Sequence, residues 1–76
     1  MEINEFVDNF ANQFDDTDLS KITINTIYKD LDEWSSLLSL SIIAMCDEDY
    51  GVKVTGDDIK NSSTVEDFYN LVLSKK

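Results

Sequence analysis

The stretch from Trp34 to Gly51, WSSLLSLSIIAMCDEDYG, constrains this chain more than any other. It opens with hydroxyl residues, runs on as an apolar segment without a breaker, turns acidic at Asp47, Glu48 and Asp49, and stops at a glycine. Those are the start and stop signals of a helix. Ser35 or Ser36 supplies an oxygen for the orphan N–H groups of the first turn, and Gly51 supplies the left-handed residue that ends the last one. At about 100° per residue, Ile42, Ile43, Cys46 and Tyr50 share one broad face with Leu38 and Met45 at its margin. Leu37, Leu40 and Ala44 fall on the opposite face among Ser41 and Glu48. Two arrangements fit this wheel. Either neighbours cover the helix on both sides, or one face builds the core while the other leaves apolar side chains at the surface as a docking site.

The remaining segments are read against that helix. Ile3, Phe6, Val7, Phe10, Ala11 and Phe14 recur at helical spacing, which predicts an amphipathic first helix over about 2–14. Asp15, Asp16, Thr17 and Asp18 end it. They lack the ligand pattern, central glycine and distant Glu of a calcium loop, so they read as a solvated turn. From there to residue 35 the period is lost, yet Leu19, Ile22, Ile24, Ile27, Tyr28, Leu31 and Trp34 keep the segment too apolar for disorder. It reads as a long ordered connection that pins these residues on the core, with short helical turns around Thr26 to Lys29. After the helix at about 36–50, Val52 and Val54 alternate with polar residues in a brief extended piece. Residues 56–61 read as a short helix with Ile59 inward, and about 64–74 as a last helix. Ser63 followed by Glu66 has the spacing of a capping box, and Lys75 and Lys76 suit the negative end of that helix.

These segments make one all-α domain over 1–76, a small three-to-four-helix bundle with a long first loop and a short third helix. At 76 residues its core is modest. The balance of 16 acidic against 6 basic residues, a net charge of -10, leaves no basic patch for a phosphate backbone, so nucleic acid is not an expected partner. Basic protein surfaces are its complement. The single cysteine, Cys46, excludes an internal disulfide and reads as a small hydrophobe on the core face. Trp34 and Tyr50 read as packing residues at the two ends of the same helix. No apolar run is long enough to span a bilayer, and Met1 leads straight into acidic, amphipathic sequence, so a cytoplasmic monomer without membrane attachment is expected. No metal site is expected. With no His there is no base for a serine nucleophile, and the chain does not read as an enzyme.

The order of these pieces resembles the acyl carrier proteins, including the carrier domains of polyketide and nonribosomal peptide synthesis. The likeness runs the length of the chain. It rests on Asp30-Leu31, on Glu33-Trp34-Ser35-Ser36-Leu37 where that family has an acidic residue followed by Ser-Leu, on Asp49-Tyr50-Gly51, and on Ile59 followed by Thr64-Val65-Glu66-Asp67. The resemblance implies that Ser36 carries a 4'-phosphopantetheine arm, transferred from coenzyme A by a magnesium-dependent phosphopantetheinyl transferase. The arm's thiol would hold acyl intermediates as thioesters for partner enzymes of fatty acid, polyketide or related biosynthesis. A phosphodiester there suits the positive end of a helix. The implied partner surface comprises Ser35, Leu37, Leu40, Ser41, Ala44, Asp47 and Glu48, presented to acyl-loading and acyl-processing enzymes with basic docking surfaces.

In two places this chain departs from the family pattern. Ser35 stands where the family has Asp, an even exchange as a helix cap but the loss of a charge beside the reacting hydroxyl. Ser41 stands where many relatives have an acidic residue. Two adjacent serines also leave a choice of register, and the spacing to Leu37 and Gly51 favours Ser36. The alternatives are that both hydroxyls only cap the helix, and that the chain is an unmodified adaptor that binds partners through the same face.

Overall fold

The computed structural model describes residues 2–76. Four α-helices follow one another as α1 (Ile3–Ala11), α2 (Ser36–Tyr50), α3 (Gly56–Asn61) and α4 (Val65–Ser74), with no strand among the described residues. The long connection from α1 to α2 carries two 3₁₀ turns, at Leu19–Lys21 and Tyr28–Asp30.

The first helix is capped by Glu2, whose carboxylate accepts from the Asn4 and Glu5 amides at 3.1 and 3.0 Å. It ends three residues before the expected limit. Gln13 N and Phe14 N bond to the Phe10 and Ala11 carbonyls in tight i→i+3 turns, and the amides of Asp15 and Asp16 are claimed by the Glu33 carboxylate instead of by the helix. Phe14 still reaches the core.

That core is aromatic at its centre. Phe10 has the rings of Phe6, Phe14, Tyr28 and Phe68 around it at centroid distances of 5.5 to 6.2 Å. Ile42 and Cys46 from α2, and Val65 and Val72 from α4, complete the fully buried set. On α2 the buried stripe runs through Leu38, Ile42, Met45 and Cys46. It is turned from the expected axis: Leu38 and Met45 are fully inside, whereas Ile43 and Tyr50 are half-buried. Tyr50 keeps its hydroxyl at the edge, accepting from Asn9 Nδ2 at 2.8 Å.

The first connection does not pin all its apolar residues inward. Ile22 and Tyr28 are buried, but Leu19 and Ile27 are 54% and 47% exposed. The reason for Ile27 lies in its backbone, which bridges to Thr64 while its neighbours' carbonyls, Thr26 O and Ile24 O, accept from Val65 N and Glu66 N at 3.1 and 3.0 Å. Those two bonds also displace the expected cap of α4. With the Glu66 amide already taken, Thr64 is the cap residue. It accepts from Asp67 N at 3.1 Å, and the Asp67 carboxylate accepts from Thr64 N at 3.1 Å. The reciprocal box is therefore Thr64–Asp67, one residue beyond the Ser63–Glu66 pattern. Thr64→Ala is expected to cost about 1 kcal/mol by loss of a cap, and Ser63→Ala to stay within about 0.5 kcal/mol. Urea denaturation of the two variants measures both, and the opposite order would contradict this cap.

Val52 and Val54 are buried on either side of exposed Lys53, so their alternation is used without a strand partner. At six residues α3 is short and fastened from outside. A Thr55–Asp58 capping box closes its start. At its end the Ser62 hydroxyl donates to Asp58 O at 3.1 Å, Lys29 Nζ donates to Lys60 O at 2.6 Å, and the buried Tyr28 hydroxyl donates to Ile59 O and lies 3.1 Å from Ser62 O. Burial pushes the Tyr28 phenol up to about 12, so it stays a donor. Lys75 does not simply lie against the end of its own helix; it reaches Asp58 at 3.0 Å.

Candidate functional site

The start of α2 gathers the residues singled out in the sequence. Ser35 is the cap residue, extended at φ -158° and ψ 172°, and its Oγ accepts from Leu38 N at 3.3 Å. Ser36 is the first helical residue, is exposed, and its hydroxyl has no hydrogen-bond partner among the described residues. The two serines thus divide the roles that the sequence left open: one caps, the other stands free. The first bond of the helix runs from Ser39 N to Ser35 O at 3.1 Å, so the amides of Ser36 and Leu37 precede the ladder and face outward as donors. At the far end Gly51 adopts φ 66°, and its amide and that of Val52 return to Asp47 O and Cys46 O at 3.0 and 3.1 Å.

What fixes this helix start is the segment before it. Trp34 N bonds to Leu31 O at 3.0 Å, and the indole packs edge-on against Tyr28 at 4.9 Å and near Phe14 at 6.3 Å. One residue earlier, Glu33 turns the other way. Its carboxylate accepts from Asp15 N at 2.6 Å, Asp16 N at 2.9 Å and the Thr17 hydroxyl at 2.8 Å. The acidic turn after α1 is therefore held by an acidic side chain, which accepts from two backbone amides and a hydroxyl.

What burial Glu33 has works against its charge, and the bonds from Asp15, Thr17 and Asp16 outweigh it, holding the carboxyl below its ordinary value of 4.5. A depressed carboxyl stabilises the fold above its unfolded value and loses that contribution as the pH falls through the folded one. Wild type is thus expected to be more stable than Glu33→Gln at pH 7 and to lose that advantage in acid, as the pH falls below 4.5 and through the lowered folded value. Urea midpoints at neutral and acid pH measure this, and an advantage that persisted in acid would contradict it.

Two clefts flank this carboxylate. One, of about 390 Å³, is lined by Asp16, Thr17, Asp18, Lys21, Leu31, Asp32 and Glu33. The other, of about 230 Å³, lies against the start of α2, between Gln13, Asp15 and Glu33 on one side and Ser35, Leu37, Leu38 and Ser41 on the other. Glu33 is the partition between them. The expected partner-facing set consequently splits. Ser35 and half-buried Ser41 line the second cleft, which Leu37 also borders. Leu37 and Leu40, 77% and 62% exposed, continue with Ala44, Asp47 and Glu48 as an open strip along α2. That is the one-sided arrangement, not the helix covered on both faces. Asp47 already has a cation, Lys53, at 3.3 Å, in a pair that is largely exposed and correspondingly weak.

Cys46 lies on the other side, in the core, where burial first and Asp49 second push its thiol up to about 12. It is a packing residue with no thiolate at neutral pH. Among the described residues no group of three or more His, Cys, Asp or Glu side chains could hold a metal ion, the Asp15–Asp18 turn included. No helix among the described residues is long and apolar enough to cross a membrane.

Sequence reasoning missed the role of Glu33. Its partners lie 16 to 18 residues away, and no local spacing encodes a contact of that range. No family model matches this chain, and neither does any curated protein or solved structure.

Proposed function

We propose that this chain is an acyl carrier protein in which Ser36 is the attachment point of a 4'-phosphopantetheine arm. The observation that carries the reading is the pairing of a capping Ser35 with an exposed, unbonded Ser36 at the first position of a 15-residue helix. A serine used for capping is engaged with its own backbone; a free one is open to a phosphoryl donor. The residues fit such a group. The Ser36 and Leu37 amides and the helix dipole favour an anion there. The nearest acidic side chain behind it, Glu33, has its carboxylate turned to the 15–17 turn and saturated by three donors.

When bound, the arm would supply a thiol that holds an acyl group as a thioester. This chain's own part is to present the serine, keep the helix start rigid and offer a docking strip. Leu37, Leu40 and Ala44 would meet apolar surface around a partner's active-site mouth. Asp47 and Glu48 would meet its Lys and Arg, with Lys53 as the cation to be displaced from Asp47. Exposed ion pairs of this kind are worth about 0 to 1 kcal/mol, which lets a shuttle release its partners.

An unmodified adaptor that uses the same strip is the second reading, favoured by Ser35, which leaves the reacting hydroxyl without the adjacent carboxylate of the family pattern. Intact-protein mass spectrometry separates the two. After incubation with coenzyme A, magnesium and a broad-specificity phosphopantetheinyl transferase, one arm located on Ser36 by fragmentation supports the carrier. Absence of any adduct on folded protein, with a control carrier modified and with Ser35→Asp also unmodified, would favour the adaptor.

A further inference from the structure

We propose that Glu33 is a positioning residue for modification at Ser36, acting by tying the 15–17 turn to the segment that delivers the serine. The proposal rests on the carrier reading above and names a residue that acts on its site without touching the reacting hydroxyl. The three residues before Ser36 are each committed. Glu33 is bound to the turn after α1 at 2.6, 2.9 and 2.8 Å, Trp34 is wedged against Tyr28 and Phe14, and Ser35 is spent on the cap. Trp34 anchors this segment to the core from one side. Glu33 anchors it to the 15–17 turn from the other, and among the described residues the Asp15 and Asp16 amides have no other acceptor.

Glu33 also lines both clefts, the second of which runs along the start of α2 beside Gln13 and Asp15. A transferase must grip the serine and its surroundings in one arrangement. If only a fraction of molecules holds that arrangement, the apparent affinity falls by that fraction while the step within the complex is unchanged.

Glu33→Gln keeps the shape of the side chain but replaces one acceptor oxygen with an amide NH2, which cannot accept from whichever of the Asp15 and Asp16 amides it faces, while the remaining oxygen can accept from the other. The expected result has two parts. In ¹⁵N-labelled protein at least one of the Asp15 and Asp16 amides loses protection from exchange while those of the core helices keep theirs. In transfer of the arm from coenzyme A, the KM for the carrier rises about three- to ten-fold with kcat held, as a reduced competent fraction requires. Thr64→Ala, a stability loss far from Ser36, is the control and should leave both parameters at the wild-type value.

Three outcomes would overturn the proposal. Exposed amides in Glu33→Gln with unchanged transfer kinetics would show that the tie is structural only. Amides that stay protected would show that the tie does not depend on this carboxylate. A KM shift of equal size in Thr64→Ala would assign the effect to stability. Failure of the carrier reading looks different, because wild type itself would then accept no arm, and the positioning role would fall with it.

Discussion

Ser36→Ala is expected to abolish attachment of the arm completely while leaving the fold in place. The two effects separate because the structure separates the serines. The Ser36 hydroxyl makes no hydrogen bond among the described residues and lies on the surface, so its loss should change stability by no more than about 0.5 kcal/mol. Ser35→Ala is the mirror image. It removes the acceptor of the Leu38 amide and should cost about 1 kcal/mol, with the arm still attached at Ser36. Mass spectrometry and thermal melting of the two variants form one experiment with opposite signs in its two channels. A Ser36→Ala protein that still gained the arm, at Ser35 for example, would shift the register by one residue and remove the reason for distinguishing capping from reacting hydroxyl.

The second large effect concerns the core. Phe10→Ala should cost about 3 to 5 kcal/mol, the range for an aromatic removed from a packed interior. A domain of this length has in total roughly 4 to 11 kcal/mol to lose. Phe10 is fully buried and in ring contact with α1, the first connection and α4 at once, through Phe6 and Phe14, Tyr28 and Phe68. Collapse around the gap would therefore have to move three elements together. The expected drop in melting temperature is about 12 to 40 °C, enough to leave the variant partly unfolded at 37 °C. A drop of less than about 4 °C would mean that the ring contributes little beyond what its neighbours can refill.

The parts of this fold that were legible in the sequence are those written in local code. The bounds of α2 follow from Ser35 and Gly51, which signal by side-chain oxygen and by conformational freedom and need no distant partner. The short helix at Gly56–Asn61 is likewise legible in the residues around inward-facing Ile59, without its Thr55–Asp58 box. Where reading failed, a contact from far along the chain had outbid a local signal. Ser63–Glu66 has a valid box spacing, but Ile24 O holds the Glu66 amide. Phe14 continues the helical period of α1, but Glu33 takes the amides that would have carried the helix on. Leu19 and Ile27 are apolar and still face out, in part because the backbone around Ile27 is engaged with Thr64–Glu66. The candidate site was legible to the same extent. The serine pair and the strip through Leu37, Leu40 and Ala44 follow from α2 alone, whereas Glu33 and the cleft beside Ser41 require the tertiary structure.

The fastening of α3 has a bearing on motion. A six-residue helix is too short to persist on its own. Its last carbonyls are held by Tyr28 and Lys29, side chains that precede their partners by 31 to 34 positions. A fluctuation that lifted α3 from the body would either strand the buried Ile59 and Ser62 carbonyls or draw the tyrosine ring out from between Phe10, Trp34 and Phe68. Opening of α3 is therefore expected to be coupled to the first connection and not set by the length of either piece. Long loop and short helix, the two elements that look most mobile on paper, act as one clasp.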